Sequence, residues 1–229
     1  MGEFACEGIL ILVETFLLFA TGFAGLVASI VLGLAKDNFA GDCLLYSEVK
    51  WCNSTAFYFT QLGASPSCSF CIGLQVCVSF YALAYGCYHV SVLCQWVGER
   101  RALVLPTIII DVLVSLFVFI QACVLSVGFK RFCDGFVSGS SIGSKAKSCS
   151  YGGKLDWNFK GQCGGDKDPH NPYAGDNFFQ FYSTAQSASW FTLLFWLVLI
   201  GITIARRLRN ATMLPTHTEA QEERKSLIT

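Results

Sequence analysis

The chain has 229 residues, of which 53% are hydrophobic and only 14% charged, and its formal net charge is zero. An average soluble domain carries roughly a quarter charged residues. A balanced charge gives no overall basic field for nucleic acid, and three histidines without acidic clusters leave little material for a metal centre.

The charges are unevenly placed. The first apolar run, Ile9 to Leu34, is interrupted only by Glu14. Cys71 to Trp96 contains no Asp, Glu, Lys or Arg, Ala102 to Phe129 holds only Asp111, and Phe178 to Ala205 holds none. A helix needs about 20 residues to cross roughly 30 Å of hydrocarbon, and every run exceeds that. The runs are apolar on all sides, unlike the striped helices of a soluble core. They also lack the alternating segments of about ten residues that build a membrane barrel. A helix satisfies its own backbone in lipid, so the runs predict four membrane-spanning helices. The fold expected is an all-α membrane protein, a four-transmembrane-helix bundle forming one domain over residues 1–229. The flank with Glu3 and Glu7 is acidic, and the first run is longer than a signal-peptide core, so it reads as a retained span.

Arg100 and Arg101 lie between spans two and three, and Arg206, Arg207 and Arg209 follow span four. Both positions favour the cytosol, which predicts cytosolic termini and a cytosolic tail over 206–229. Lys130, Arg131 and further lysines before Asn177 argue the other way, but long loops count less in that rule. The external loops are then 35–70 and 130–177. Six cysteines fall there or at their edges: Cys43, Cys52 and Cys68, then Cys133, Cys149 and Cys163. Such a distribution suits an oxidising compartment. Asn53-Ser54-Thr55 is a glycosylation acceptor on the same side, while Asn210-Ala211-Thr212 falls in the basic tail.

The stretch from Trp51 to Phe59 is rich in aromatic and β-branched residues and predicts a short β-hairpin in the first loop. The second loop is rich in glycine and lacks a hydrophobic pattern able to build its own core. Cross-links are expected to limit the freedom of this chain instead. Six cysteines allow fifteen pairings. The pairing expected is Cys43 with Cys68, Cys133 with Cys149, and Cys52 with Cys163.

Gly41-Asp42-Cys43-Leu44-Leu45-Tyr46, Cys68-Ser69-Phe70, and Ala122-Cys123-Val124-Leu125-Ser126-Val127-Gly128-Phe129 ahead of Cys133 resemble the transmembrane protein 179 family, most closely its 179B branch. Cys149-Ser150, Gln180-Phe181-Tyr182-Ser183 and Ala188-Ser189-Trp190 with Trp196 extend the likeness over residues 9–200. The resemblance implies a four-span membrane protein without an assigned activity, and it carries Cys43, Cys68, Cys133 and Cys149. Cys52, Cys163 and the glycine-rich stretch from Tyr151 to Asp176 depart from the pattern. The tetraspanin Cys-Cys-Gly of the large loop is missing, as is the claudin Trp…Gly-Leu-Trp…Cys…Cys arrangement, so these families fit worse.

Glu14, His89 and Asp111 are the ionisable groups inside the spans, roughly 7 to 14 Å from the cytosolic helix ends at about 1.5 Å per residue. Intramembrane ionisable groups face partners or wet cavities. A hydrogen-bonded knot is the favoured reading and a proton or cation relay the alternative. Gln75 and Gln121 lie deeper and suit packing. Cys68-Ser69-Phe70-Cys71 is a C-x-x-C at the external end of span two, the arrangement a membrane thiol-disulfide oxidoreductase would need, though no other redox feature accompanies it. Cys6 and Cys94 at the cytosolic helix ends are candidates for palmitoylation. The tail, expected to be unfolded, resembles an acidic dileucine sorting signal through Glu223, Leu227 and Ile228 that a cytosolic adaptor would read. No nucleophile–base set, phosphate-cradling loop or zinc spacing can be assembled, and no cofactor is implied. The reading is a non-enzymatic interaction or scaffold protein of the plasma, endosomal or secretory-granule membrane, with the bilayer and other membrane proteins as partners. A small transporter or channel component using Glu14, His89 and Asp111, and a redox enzyme using Cys68 and Cys71, are the alternatives.

Overall fold

The computed structural model describes residues 2–52, 56–96, 104–138, 148–155, 157 and 173–226. Four helices dominate: α1 (Gly2–Asn38), α2 (Ser65–Leu93), α3 (Val104–Ser138) and α4 (Phe178–Ser226). Within them Gly8–Asn38, Ser65–Leu93, Pro106–Ser138 and Phe178–Leu208 are long and apolar enough to cross a membrane. Two strands, β1 (Cys43–Trp51) and β2 (Phe57–Gly63), form an antiparallel hairpin between α1 and α2, and a 3₁₀ turn (Cys149–Lys154) precedes α4. The helices alternate in direction. α1 packs against α2 and α4, and α3 packs against α4 and β1 with a sparser contact to α2. Hydrophobic side chains such as Phe16, Phe23, Leu113, Leu116 and Leu197 point outward, the exposure expected of groups that face lipid.

All four helices extend past the apolar runs that predicted them at one end or both. Span two starts at Ser65 rather than residue 71, because Pro66 at the second helical position pre-sets the backbone without costing a hydrogen bond. It stops at Leu93 rather than residue 96: Gln95 adopts a left-handed φ of 59°, and the Trp96 amide donates back to the Ser91 carbonyl. Span three continues past Phe129 to Ser138. At about 1.5 Å per residue its 33 membrane-competent residues measure about 50 Å, well beyond roughly 30 Å of hydrocarbon. The tail expected to be unfolded is helical to Ser226. Its sequence from Arg206 contains no glycine, and although Pro215 is costly in a helix interior, the strong helix formers Glu219, Ala220, Gln221, Glu222 and Arg224 follow it.

At the loop end the hairpin, the first turns of α2 and α4, and the last turns of α1 and α3 form a compact head. The hairpin starts at Cys43, earlier than its aromatic stretch implied. Its register pairs Cys43 with Gly63 and Trp51 with Phe57, with bulges on either side of Glu48. A side chain at Gly63 would collide with the Leu45 carbonyl, so the strands close only over glycine.

Among the described residues the head contains the larger of two hydrophobic cores. Phe57 stands edge-on to Trp157 (5.1 Å, 89°) and to Phe136 (5.4 Å, 86°), while Phe39 meets Trp157 at 5.3 Å. Such edge-to-face pairs contribute about 0.5–1.5 kcal/mol beyond their buried area. The expectation that cross-links alone would order the second loop is corrected here. Leu155, Trp157 and Tyr173 are buried in a core that α1, the hairpin, α3 and α4 supply jointly. The indole of Trp51 donates to the Phe136 carbonyl (2.9 Å), one of the α3 C-terminal carbonyls that the helix cannot satisfy itself.

Candidate functional site

Two regions collect the chemistry. The first is the head. A disulfide joins Cys43 at the start of β1 to Cys68 in the first turns of α2, and another joins Cys133 of α3 to Cys149 of the 3₁₀ turn. Cys52 is also disulfide-bonded, while Cys163 and Asn53 lie outside the described residues. Cys71 is free and buried, so the two cysteines of the C-x-x-C are not joined to each other. Between the outer face of the hairpin and the end of α3 lies an open groove of about 570 Å³, lined by Ser47, Glu48, Lys50, Thr60, Arg131 and Asp134 among others. Arg131 and Glu48 approach to 3.6 Å across it, both more than half exposed, and an ion pair so solvated contributes little.

The second region is the polar interior of the bundle. Gln75 of α2 donates to the Gln121 side chain of α3 (2.7 Å), and both amides reach the Ser189 hydroxyl of α4 at 3.3 and 3.2 Å. These three residues tie three helices together. Nearer the chain termini, Glu14 of α1 lies 3.2 Å from the Arg206 guanidinium of α4, and its carboxylate accepts from the Thr203 hydroxyl at 3.5 Å. His89 of α2 faces the same carboxylate at 3.7 Å. All of these groups are buried, Arg206 at 6% exposure. An isolated charge there would be costly, and the opposite charge makes it tolerable.

Glu14 and His89 therefore come together, but Asp111 does not join them. Its carboxylate accepts from the Tyr81 hydroxyl (3.0 Å), and Tyr81 stacks on both Trp196 and Tyr85. Tyr85 in turn presents its ring to the edge of His89 at 4.5 Å, so a column of aromatic rings separates the two acids. Sequence reasoning placed Arg206 outside the membrane as a flanking charge. The signal was present in the period: Trp196, Leu199, Thr203 and Arg206 recur at helical spacing, and all four are buried. Tyr81 and Tyr85 carried no such signal, since aromatic residues in an apolar run look like packing.

The remaining predicted residues are quickly placed. Cys94 is a free, exposed thiol at the C-cap of α2, and the Cys6 side chain lies outside the described residues. Glu223 sits on the helical extension of α4, while Leu227 and Ile228 fall beyond the described residues. Among the described residues no group of His, Cys, Asp and Glu is arranged to hold a metal ion.

Comparison with known proteins adds the lineage. The family described as "Transmembrane protein 179/179B Claudin domain" matches residues 10–228. Human Transmembrane protein 179B is 25% identical over 200 residues, covering 85% of this chain and 82% of its own. The mouse protein is 26% identical over 188 residues (80% and 77%) and the zebrafish (Danio rerio) protein 18% over 207 (90% and 87%). No solved structure matches. The missing claudin signature had set that group aside, and the family's own description corrects this: the claudin-type domain is present without the motif that usually announces it. Four spans, a stapled hairpin head and a match over nearly the whole chain agree, and this multi-pass membrane protein belongs to the transmembrane protein 179/179B claudin-domain family.

Proposed function

We propose that the protein is a non-enzymatic interaction or scaffold protein whose head is a preformed contact surface on the exoplasmic side of the plasma, endosomal or secretory-granule membrane. The observation that supports this is the construction of the head. An aromatic core and disulfides hold a hairpin and a charged groove in one shape, and such preorganisation reduces the ordering cost of binding a partner. In this reading both termini face the cytosol, Asn53 carries a glycan, Cys6 and Cys94 accept palmitate, and an adaptor engages Glu223, Leu227 and Ile228.

The transporter alternative draws on the gathering of Glu14 and His89, yet Arg206 already neutralises that carboxylate and a stacked aromatic column lies between it and Asp111. The oxidoreductase alternative draws on the C-x-x-C, whose first cysteine is engaged with Cys43.

The test is proximity labelling from the head in intact cells, comparing the native chain with a variant carrying Lys50→Glu and Arg131→Glu in the groove. Loss of specific labelled partners with unchanged expression supports the reading. An unchanged set of partners, or protection of residue 150 from external protease, overturns it.

A further inference from the structure

We propose that Cys71 is an internal exchange thiol for the Cys43–Cys68 disulfide, so that the C-x-x-C of α2 is the alternative resting place of that bond. The proposal goes beyond the contact-surface reading, which concerns the closed head only.

Cys68 and Cys71 are one helical turn apart, both fully buried and both in the head core. Residues three apart on a helix are neighbours on one face, and C-x-x-C is a spacing at which disulfides form and exchange. Among the described free cysteines Cys77, Cys87 and Cys94 are exposed and Cys123 is half-buried, which leaves Cys71 as the buried thiol. Two polar groups accompany the three sulfurs in otherwise apolar surroundings. The Tyr182 hydroxyl lies 4.0 Å from the Cys68 sulfur and accepts from the amide of Leu44, the neighbour of Cys43. The Gln121 side chain lies beside the Cys71 thiol.

The step balances without any outside reagent. Cys71 gives up its proton, its sulfur attacks the Cys68 sulfur, and the Cys43–Cys68 bond breaks as a Cys68–Cys71 bond forms. The electron pair leaves on the Cys43 sulfur, which takes up the proton. One disulfide and one thiol remain, so the chain is neither oxidised nor reduced. Burial keeps soluble thiols away from all three sulfurs, and the nucleophile that can reach this bond is the chain's own. A neutral buried thiol is inert, so exchange waits for a local opening that admits water to the head. Its product is a hairpin no longer latched to α2.

The experiment uses the full chain in lipid nanodiscs, free of added thiol and warmed toward its unfolding midpoint. Samples are quenched in acid, digested with pepsin and analysed for linked peptides and labelled thiols. Three results are expected together. A Cys68–Cys71 peptide appears as free Cys43 does, the total thiol count stays constant, and the rate rises about tenfold from about pH 7 to about pH 8 as the thiolate fraction grows. Cys71→Ser, and independently Cys71→Ala, lose the free Cys43 while retaining the Cys43–Cys68 peptide. The proposal is overturned if free Cys43 appears equally in those variants, or if warming the native chain yields no Cys68–Cys71 peptide. The second criterion needs no variant to fold.

Discussion

Tyr46 lies on Gly128. A Cβ at Gly128 would come within 2.8 Å of the Tyr46 ring, and the Tyr46 hydroxyl donates to the Val124 carbonyl of the preceding turn (3.3 Å). Tyr46 reaches this position with a φ of 64°, a conformation that bulky residues rarely adopt and that costs of order 1–3 kcal/mol. The hairpin is therefore seated on α3 through a missing side chain and a strained one. Gly128→Val should destabilise the protein by about 1–3 kcal/mol through overpacking. Thermal unfolding in detergent checks this, and an unchanged midpoint would remove the contact from the account.

A larger effect belongs to the Glu14–Arg206 pair. Arg206→Met leaves a buried carboxylate without its cation and should cost about 3–5 kcal/mol. The double variant Glu14→Leu with Arg206→Met should recover most of that loss, because replacing a whole buried pair by apolar groups is often nearly neutral. A double-mutant cycle on chemical unfolding in micelles measures the coupling, and additive losses would show that the two groups do not depend on each other.

The glutamine knot offers the contrast. Gln121→Leu removes neutral hydrogen bonds to Gln75 and Ser189, and such bonds in membrane proteins average about 0.6 kcal/mol. Its loss should be several times smaller than that of Arg206→Met in the same assay. If the order reverses, the buried charge is not the stronger tie.

In the head, Trp157→Ala opens a cavity against Phe39, Phe57 and Phe178 and should cost about 3–5 kcal/mol. Cys133→Ser with Cys149→Ser opens a loop with a sequence separation of 16, worth about 3 kcal/mol in the chain-entropy account. Limited proteolysis of the second loop reads both. Rapid cleavage in the cysteine variant alone would mean that the aromatic core contributes little order.

How far the sequence revealed this structure depends on which solvent a residue meets. Inside lipid the rule is simple: an uncharged run of sufficient length must be a helix, and all four spans were legible. Outside lipid the same helices continue under a different rule, so Ser65–Phe70 and Lys130–Ser138 looked like loop although they are helical. The head core was hidden for a further reason. Phe39, Phe57, Phe136, Trp157 and Phe178 come from five separate segments, and no local pattern announces a core assembled from single residues. The burial of Arg206 went unread because composition was weighed above period. Its side chain points inward where the apolar run had already ended.

The overhang of α3 fixes a height. Lys130 and Arg131 mark where its apolar run stops, and seven further residues carry the helix to Ser138, roughly 10 Å farther along its axis at about 1.5 Å per residue. Arg131, Asp134 and Ser138 form one wall of the charged groove along that rise. If the head faces outward as proposed, the upper rungs of this wall stand beyond the apolar run, so a contact with them would come from the aqueous side rather than from within the lipid.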